Sequence, residues 1–135
     1  MMDIASFNDL LRAADAQPEP QRLLFVFAGA TLPEDSTPEQ RARFEAGEGG
    51  ELTPVMSVDK TPSSVATFEA LVEESRQFGR EWSIVFVAGL AGRKGCVPTD
   101  DAAGQALEKM VESVKRGMLE AFIPFDRHGQ AVRLS

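Results

Sequence analysis

The stretch best suited to chemistry is the glycine-rich segment Gly89–Gly95, which leaves an apolar run and leads towards a helical pattern. Backbone N–H groups in such a turn, together with a helix N-terminus, can hold an anion. The spacing differs from a P-loop, in which Lys directly follows the last Gly, and from the Gly-x-Gly-x-x-Gly dinucleotide fingerprint. We therefore predict either a small-anion site formed by Gly92, Arg93, Lys94 and Gly95 or a plain connecting turn.

Two aspartates, Asp59 and Asp126, each follow an apolar run and precede a basic residue. In a parallel sheet they would share the glycine turn's edge, where ligands bind in open α/β sheets. Paired carboxylates there could exchange protons or bind a divalent cation. The alternative is that both open turns and pair with their neighbours Lys60 and Arg127. Antiparallel pairing would instead scatter the aspartates and the turn to different ends.

The chain has one cysteine, Cys96, and one histidine, His128. The adjacent Arg93 and Lys94 favour a thiolate, and the histidine could act as its base. Nucleophilic catalysis also needs an orienting group and an oxyanion site, which no residue pattern indicates. One cysteine forms no internal disulfide, and the two residues supply too few ligands for structural zinc. We expect no catalytic residue, no metal site and no cofactor.

The elements that must position these residues follow from apolar periodicity and from helix caps. Ser6 and Asp9 form a capping-box pattern at the first helix, and Pro54 marks its strand as an edge or a strand end. The run 23–28 is apolar on both faces, as in a strand covered on both sides. The predicted helices are at about 4–16, 37–46, 61–78 and 100–116, and the predicted strands at 23–28, 52–58, 82–88, 119–125 and 131–134.

Apolar positions recur between the two halves of the sequence. An offset of 61 pairs Phe25 with Phe86, and an offset of 67 pairs Val55 with Phe122. This recurrence predicts two α-β-α-β repeats, at about 4–60 and 61–127, within one domain spanning 1–135. Because a helix joins each strand to the next, we expect an α/β fold. Its mostly parallel four-stranded sheet would have flanking helices and a C-terminal hairpin strand.

Composition narrows the classes of partner. The 135-residue chain carries a net charge of −7 and has no Tyr and one Trp, so it is a poor match for nucleic acid. The N-terminus has no basic leader region, and no apolar run is long enough to cross a membrane. We expect a cytoplasmic protein that contacts neither nucleic acid nor membrane.

Three segments resemble a family of small proteobacterial proteins of unknown function: Pro20–Pro33, Gln40–Gly50 and Ala121–Gly129. The resemblance spans nearly the whole chain. Members are often labelled ribonucleotide reductase alpha subunits, but such a subunit needs a radical-forming cysteine, a redox-active cysteine pair and a far larger barrel. One cysteine in 135 residues does not meet these needs, so the resemblance implies no catalytic residue here.

The absence of a coherent catalytic set favours a non-enzymatic binding or assembly protein. It would act through a sheet edge or helix surface on a protein partner or on a second copy of itself. The alternative is a small-ligand or anion-binding protein, or an enzyme, that uses the glycine turn with Asp59 and Asp126.

Overall fold

The computed structural model describes residues 4–31, 35–45, 51–65, 67–79 and 81–132. Helices and strands alternate along most of the chain, as the sequence predicts. The helices are α1 (Phe7–Asp15), α2 (Pro38–Glu45), α3 (Pro62–Val65), α4 (Phe68–Arg76) and α5 (Asp100–Lys115), and the strands are β1 (Gln21–Thr31), β2 (Glu51–Lys60), β3 (Ile84–Ala91) and β4 (Ile123–Phe125).

The capping box at α1 is present. The Ser6 hydroxyl accepts from the backbone N–H of Asp9, and the Asp9 carboxylate accepts from the backbone N–H groups of Ala5 and Ser6. These bonds, that from Ala5 foremost, lower the pKa of Asp9. The first helix therefore begins where its polar residues satisfy otherwise unpaired backbone groups.

The four strands form one sheet in the order β2-β1-β3-β4, and every neighbouring pair is antiparallel. The prediction of a mostly parallel sheet is wrong. A connecting helix favours parallel pairing only when the two joined strands become neighbours. β2 and β3, joined through α3 and α4, do run in the same direction, but β1 lies between them and runs against both. The pairs β1–β2 and β3–β4 are joined through α2 and α5, and both are antiparallel although their strands are neighbours.

Both faces of the sheet are covered by helices. On one face Leu23, Phe25 and Phe27 of β1 pack with Phe7 of α1 and Leu71 of α4. On the other face β1 packs against α5, whose buried residues are Ala103, Met110 and Val114. The prediction that the first strand is buried on both faces is confirmed, because β1 is a central strand between two cores.

The repeat expected from the sequence is not supported. Phe25 and Phe86 are both fully buried, but they lie on opposite faces of the sheet, and so do Val55 and Phe122. The described side chains of α2 are exposed to solvent, whereas the corresponding α5 covers one core. A buried strand carries apolar residues on both faces, so the sequences of two such strands match at any offset. The odd offsets used here pair residues that lie on opposite faces of the sheet.

The two edges of the sheet differ. Beside β4, Ala131 bridges to Phe125 and the N–H of Val132 donates to the carbonyl of Pro124, so the expected hairpin return begins there. Residues 133–134 of that predicted strand lie outside the described residues. β2 forms the other edge, and a register shift next to Pro54 marks a bulge. Of the two alternatives predicted from Pro54, an edge strand or a strand end, the structure confirms the edge strand.

Candidate functional site

The glycine loop after β3 is a tight two-residue turn. Arg93 and Cys96 exchange backbone hydrogen bonds of 3.0 and 2.9 Å, and Lys94 and Gly95 both have positive φ, at 52° and 77°. Two successive positive φ values define a type I′ turn, which favours Gly at the second position. A Cβ on Gly92 would lie 1.9 Å from the carbonyl oxygen of Cys96, so Gly92 is required by this close approach.

The amides of this turn bond mainly to groups of the chain itself. The N–H of Gly92 donates to the carbonyl of Pro20 at 2.8 Å. The N–H of Gly95 donates to the carboxylate of Glu19 at 2.9 Å. An anionic group of the protein thus already lies where an external anion would bind, while the side chains of Arg93 and Lys94 are exposed. The geometry is that of a connecting turn held by Glu19.

Asp59 lies at the same end of the sheet as the glycine turn and belongs to an ion cluster. Its carboxylate accepts from Nε of Arg22 at 2.5 Å, and Nη2 of Arg22 is 2.7 Å from Asp100. Nη1 of Arg22 donates to the carbonyl of Pro98 at 3.0 Å. The hydrogen bonds to Asp100 and Asp59 raise the pKa of Arg22. The cluster ties the start of α5 to β1 and β2.

Asp126 lies at the opposite end of the sheet, in the turn after β4. Its Oδ1 accepts from the backbone N–H groups of His128 and Gln130, at 2.8 and 3.1 Å. Asp126 therefore stabilises its own turn, in the manner expected of a turn-opening aspartate. The antiparallel sheet brings Asp59 to the end that carries the glycine turn and leaves Asp126 at the other end.

The two basic neighbours do not pair with these aspartates in the described structure. Lys60 forms an ion pair with Glu74 of α4, with Nζ 2.8 Å from the carboxylate. The guanidinium of Arg127 lies 5.0 Å from the centre of the Trp82 ring, within range of a cation–π interaction. Both basic side chains thus connect strand ends to other elements.

Cys96 and His128 also lie at opposite ends of the sheet, and both are exposed. The structure does not assemble them into a nucleophile and base. Within the described ranges, no three His, Cys, Asp or Glu residues come together as a metal site would require. Of the helices described, none combines the length and the apolar character needed to cross a lipid bilayer.

The outer edge of β2 is the largest unpaired backbone surface of the described sheet. In an antiparallel sheet, alternate residues of a strand direct their N–H and C=O groups to opposite sides. Pro20, just before β1, accepts from Gly92 beyond β3, so even-numbered positions of β1 face β3 and odd-numbered positions face β2. Phe25 lies opposite Val58, which therefore bonds to β1. Its neighbour Ser57 directs its N–H and C=O groups outward.

A groove runs between this edge and α5, and we call it the α5–β2 groove. It has a volume of about 330 Å³ and lies over Ser57 of β2. Its helical wall is one stripe of α5 at spacings of three and four residues. That stripe consists of Gly104, Leu107, Glu108, Val111, Glu112 and Lys115.

On the opposite face of β2, the space between the strand and α4 is nearly filled. Its cavity has a volume of about 10 Å³, which is no more than a water molecule needs. Phe78, just after α4, borders this space beside Met56 and Val58 and is 61% exposed. The β2 edge thus has an open groove on one face and an exposed aromatic ring on the other.

Sequence reasoning did not find the α5–β2 groove. The apolar stripe of α5 was correctly predicted, but the outer wall, with Glu108 and Glu112, has the ordinary appearance of a solvated helix face. Gly104 was one signal, because glycine in a helix interior lowers helix stability and so indicates a packing or functional role at that position. Pro54 was the second signal, since it marked β2 as an edge.

Comparisons with protein-family models, with curated proteins and with solved structures find no match to this chain, so the resemblance to the small proteobacterial family stays a prediction.

Proposed function

We propose that the protein is a non-enzymatic binding module that pairs an extended segment of a partner protein with the outer edge of β2. The observation that carries this proposal is the position of β2, a ten-residue strand that pairs only with β1 in the described part of the chain. Unpaired strand edges offer regularly spaced N–H and C=O groups to an added strand. Binding by strand addition takes affinity from these groups and specificity from flanking pockets.

The shape of β2 limits where a partner strand can lie. Natural edge strands are protected by proline, by bulges and by lysine. In β2, Pro54 and the adjacent bulge interrupt the first half, and Lys60 lies at the end, held by Glu74. The stretch from Val55 to Asp59 lies between these features. A partner strand would therefore pair with this central stretch.

Peptide binding to the purified protein tests the proposal. The probes are short peptides in which valine alternates with lysine, with threonine or with glutamate, so that each has strong strand propensity. At least one of the three should bind and should slow hydrogen exchange of the outward-facing β2 amides. Failure of all three to bind would contradict the proposal.

Two variants of Ser57 locate the binding. Ser57→Pro removes an outward N–H and leaves the β1–β2 hydrogen bonds, a position at which edge strands tolerate proline. Ser57→Ala keeps the N–H and serves as the matched control. We expect Ser57→Pro to abolish peptide binding and Ser57→Ala to retain it. Equal binding to both variants would place the peptide elsewhere and refute strand addition at β2.

A further inference from the structure

The two faces beside the β2 edge differ in charge, and this difference constrains what a partner strand carries. On the α5 face, Glu108 and Glu112 are exposed and form no ion pair within the described residues. The neighbouring Leu107 and Val111 are half-buried and form an apolar floor. Such a surface accommodates the aliphatic stem of a lysine or arginine while its charged end meets a carboxylate.

The charge at the ends of the groove extends this pattern. At the N-terminal end of α5, Arg22 forms ion pairs with two carboxylates, those of Asp59 and Asp100. This cluster of three side chains therefore has a net charge of −1. Lys115 lies at the opposite end of the groove. Most of the groove is therefore acidic, and its positive end is confined to the last turn of α5.

The α4 face of the edge carries an apolar patch, beside which Glu74 is paired with Lys60. Phe78 is exposed beside the partly buried Met56 and Val58. Successive side chains of an added strand point to opposite faces of the sheet. One set of alternate side chains would thus contact Glu108 and Glu112, and the other set would contact Phe78.

We infer that the segment bound at the β2 edge is an extended stretch in which basic and apolar residues alternate, with the basic side chains over α5 and the apolar ones over α4. This inference rests on the proposed function. Opposite charges across an interface favour the correct partner and speed association.

A second copy of this chain fits the edge less well. It would bring its own Glu108 and Glu112 into the same groove, where they would face two identical carboxylates. Like charges placed together are unfavourable, and each copy also carries a net charge of −7. A basic segment of another protein relieves this repulsion.

Gly104 provides space for such a segment. A Cβ at this position would meet no other atom within 4 Å, so the packing of the chain does not itself require glycine there. The missing side chain widens the groove next to Leu107 and Glu108. A larger side chain at this position would extend from this open space into the groove.

The charged peptide series tests the inference. The valine–lysine peptide should bind at least about fivefold more tightly than the valine–threonine peptide, as expected for two exposed ion pairs of about 0.5 kcal/mol each. The valine–glutamate peptide should bind more weakly than both. Raising the ionic strength should remove most of this preference, because salt screens exposed charges. Equal binding of all three at the β2 edge would overturn the basic preference and leave the proposed function intact.

Variants of the groove locate the preference. Glu108→Gln/Glu112→Gln should weaken binding of the valine–lysine peptide roughly fivefold and leave the valine–threonine peptide unaffected. The control, Glu69→Gln/Glu81→Gln, changes the net charge equally at exposed positions that do not line the groove. An equal effect of both double variants would mean that overall charge, rather than the groove, selects the peptide, and would refute the inference.

A steric variant gives an independent test. Gly104→Trp should abolish binding, whereas Gln105→Trp, on an exposed neighbour outside the groove, should leave it unchanged. Analytical ultracentrifugation of the protein alone should show a monomer. A dimer that Gly104→Trp dissociates would show that a second copy occupies the edge, and this would overturn the basic-segment assignment.

Discussion

Replacing Gly104 by alanine should make the isolated protein more stable. Gly104 lies in the interior of α5 and its φ is not positive, so its backbone suits any residue. An added methyl group meets no atom within 4 Å, so no clash opposes the gain. Alanine favours a helix interior over glycine by about 0.5–1 kcal/mol. The free energy of unfolding should rise by that amount.

Urea unfolding followed by circular dichroism measures this change. The slope of the unfolding free energy against urea should stay constant, because the surface exposed on unfolding is nearly the same. The melting temperature should rise by roughly 2–4 °C. Peptide binding at the β2 edge should be reduced far less by Gly104→Ala than by Gly104→Trp, since a methyl group fills little of the groove.

The matched contrast is Gly117, at the C-terminal end of the same helix. Its φ is 74°, its N–H donates to the carbonyl of Val114, and the next N–H, of Met118, donates to Ser113. This Schellman arrangement needs a left-handed residue, in which alanine is unfavourable by about 1–2 kcal/mol. Gly117→Ala should therefore destabilise the protein. Loss of stability in Gly104→Ala as well would show that the groove is not open and would refute the reasoning.

Three further outcomes are expected. Ser75→Ala should lower the free energy of unfolding by about 1–3 kcal/mol, because the buried indole N–H of Trp82 loses its 2.9 Å acceptor. This loss should largely disappear in a Trp82→Phe background, and an unchanged loss there would contradict the assignment. Phosphate and chloride at equal ionic strength should raise the melting temperature equally, because the turn amides bond within the chain. The same should hold for Arg93→Ala/Lys94→Ala. A rise that is specific to phosphate and is lost in the double variant would instead support the anion site. The folded-state pKa of Asp9 lies below its ordinary value of 3.8, so its stabilisation is present above about pH 4 and is lost as the pH falls through the lowered pKa. The stability difference between wild type and Asp9→Asn should follow this course in urea unfolding, and a difference that grows below pH 4 would reverse the sign of the argument.

Sequence reasoning succeeded where local chemistry decides the outcome. The capping residues Ser6 and Asp9 placed α1, the doubly apolar run around Phe25 predicted a strand covered on both faces, and Pro54 predicted an edge or a strand end. Each of these signals acts within a few residues or reflects burial on both sides. These predictions therefore do not depend on which strands become neighbours.

Strand order was the part that sequence did not determine. A helical connection predicts that β2 and β3 run in the same direction, but it does not show that β1 inserts between them. That insertion makes β1 antiparallel to both β2 and β3. β4 in turn runs against β3, and this reversal separates Asp126 from Asp59. The candidate site therefore lies along the β2 edge and not at the strand ends. Pro54 suggested this edge, but the groove beside it depends on how α5 packs across β2, which no local pattern in the sequence determines.

The most direct test of strand addition is the set of contacts between a bound peptide and β2. Nuclear Overhauser effects between the unlabelled valine–lysine peptide and the isotope-labelled protein would be measured in solution. The account predicts cross-strand contacts from the peptide backbone to Ser57 and its neighbours in β2, with lysine signals near Glu108 and valine signals near Phe78. Contacts confined to β4, to the glycine turn after β3 or to helix surfaces away from β2 would contradict it.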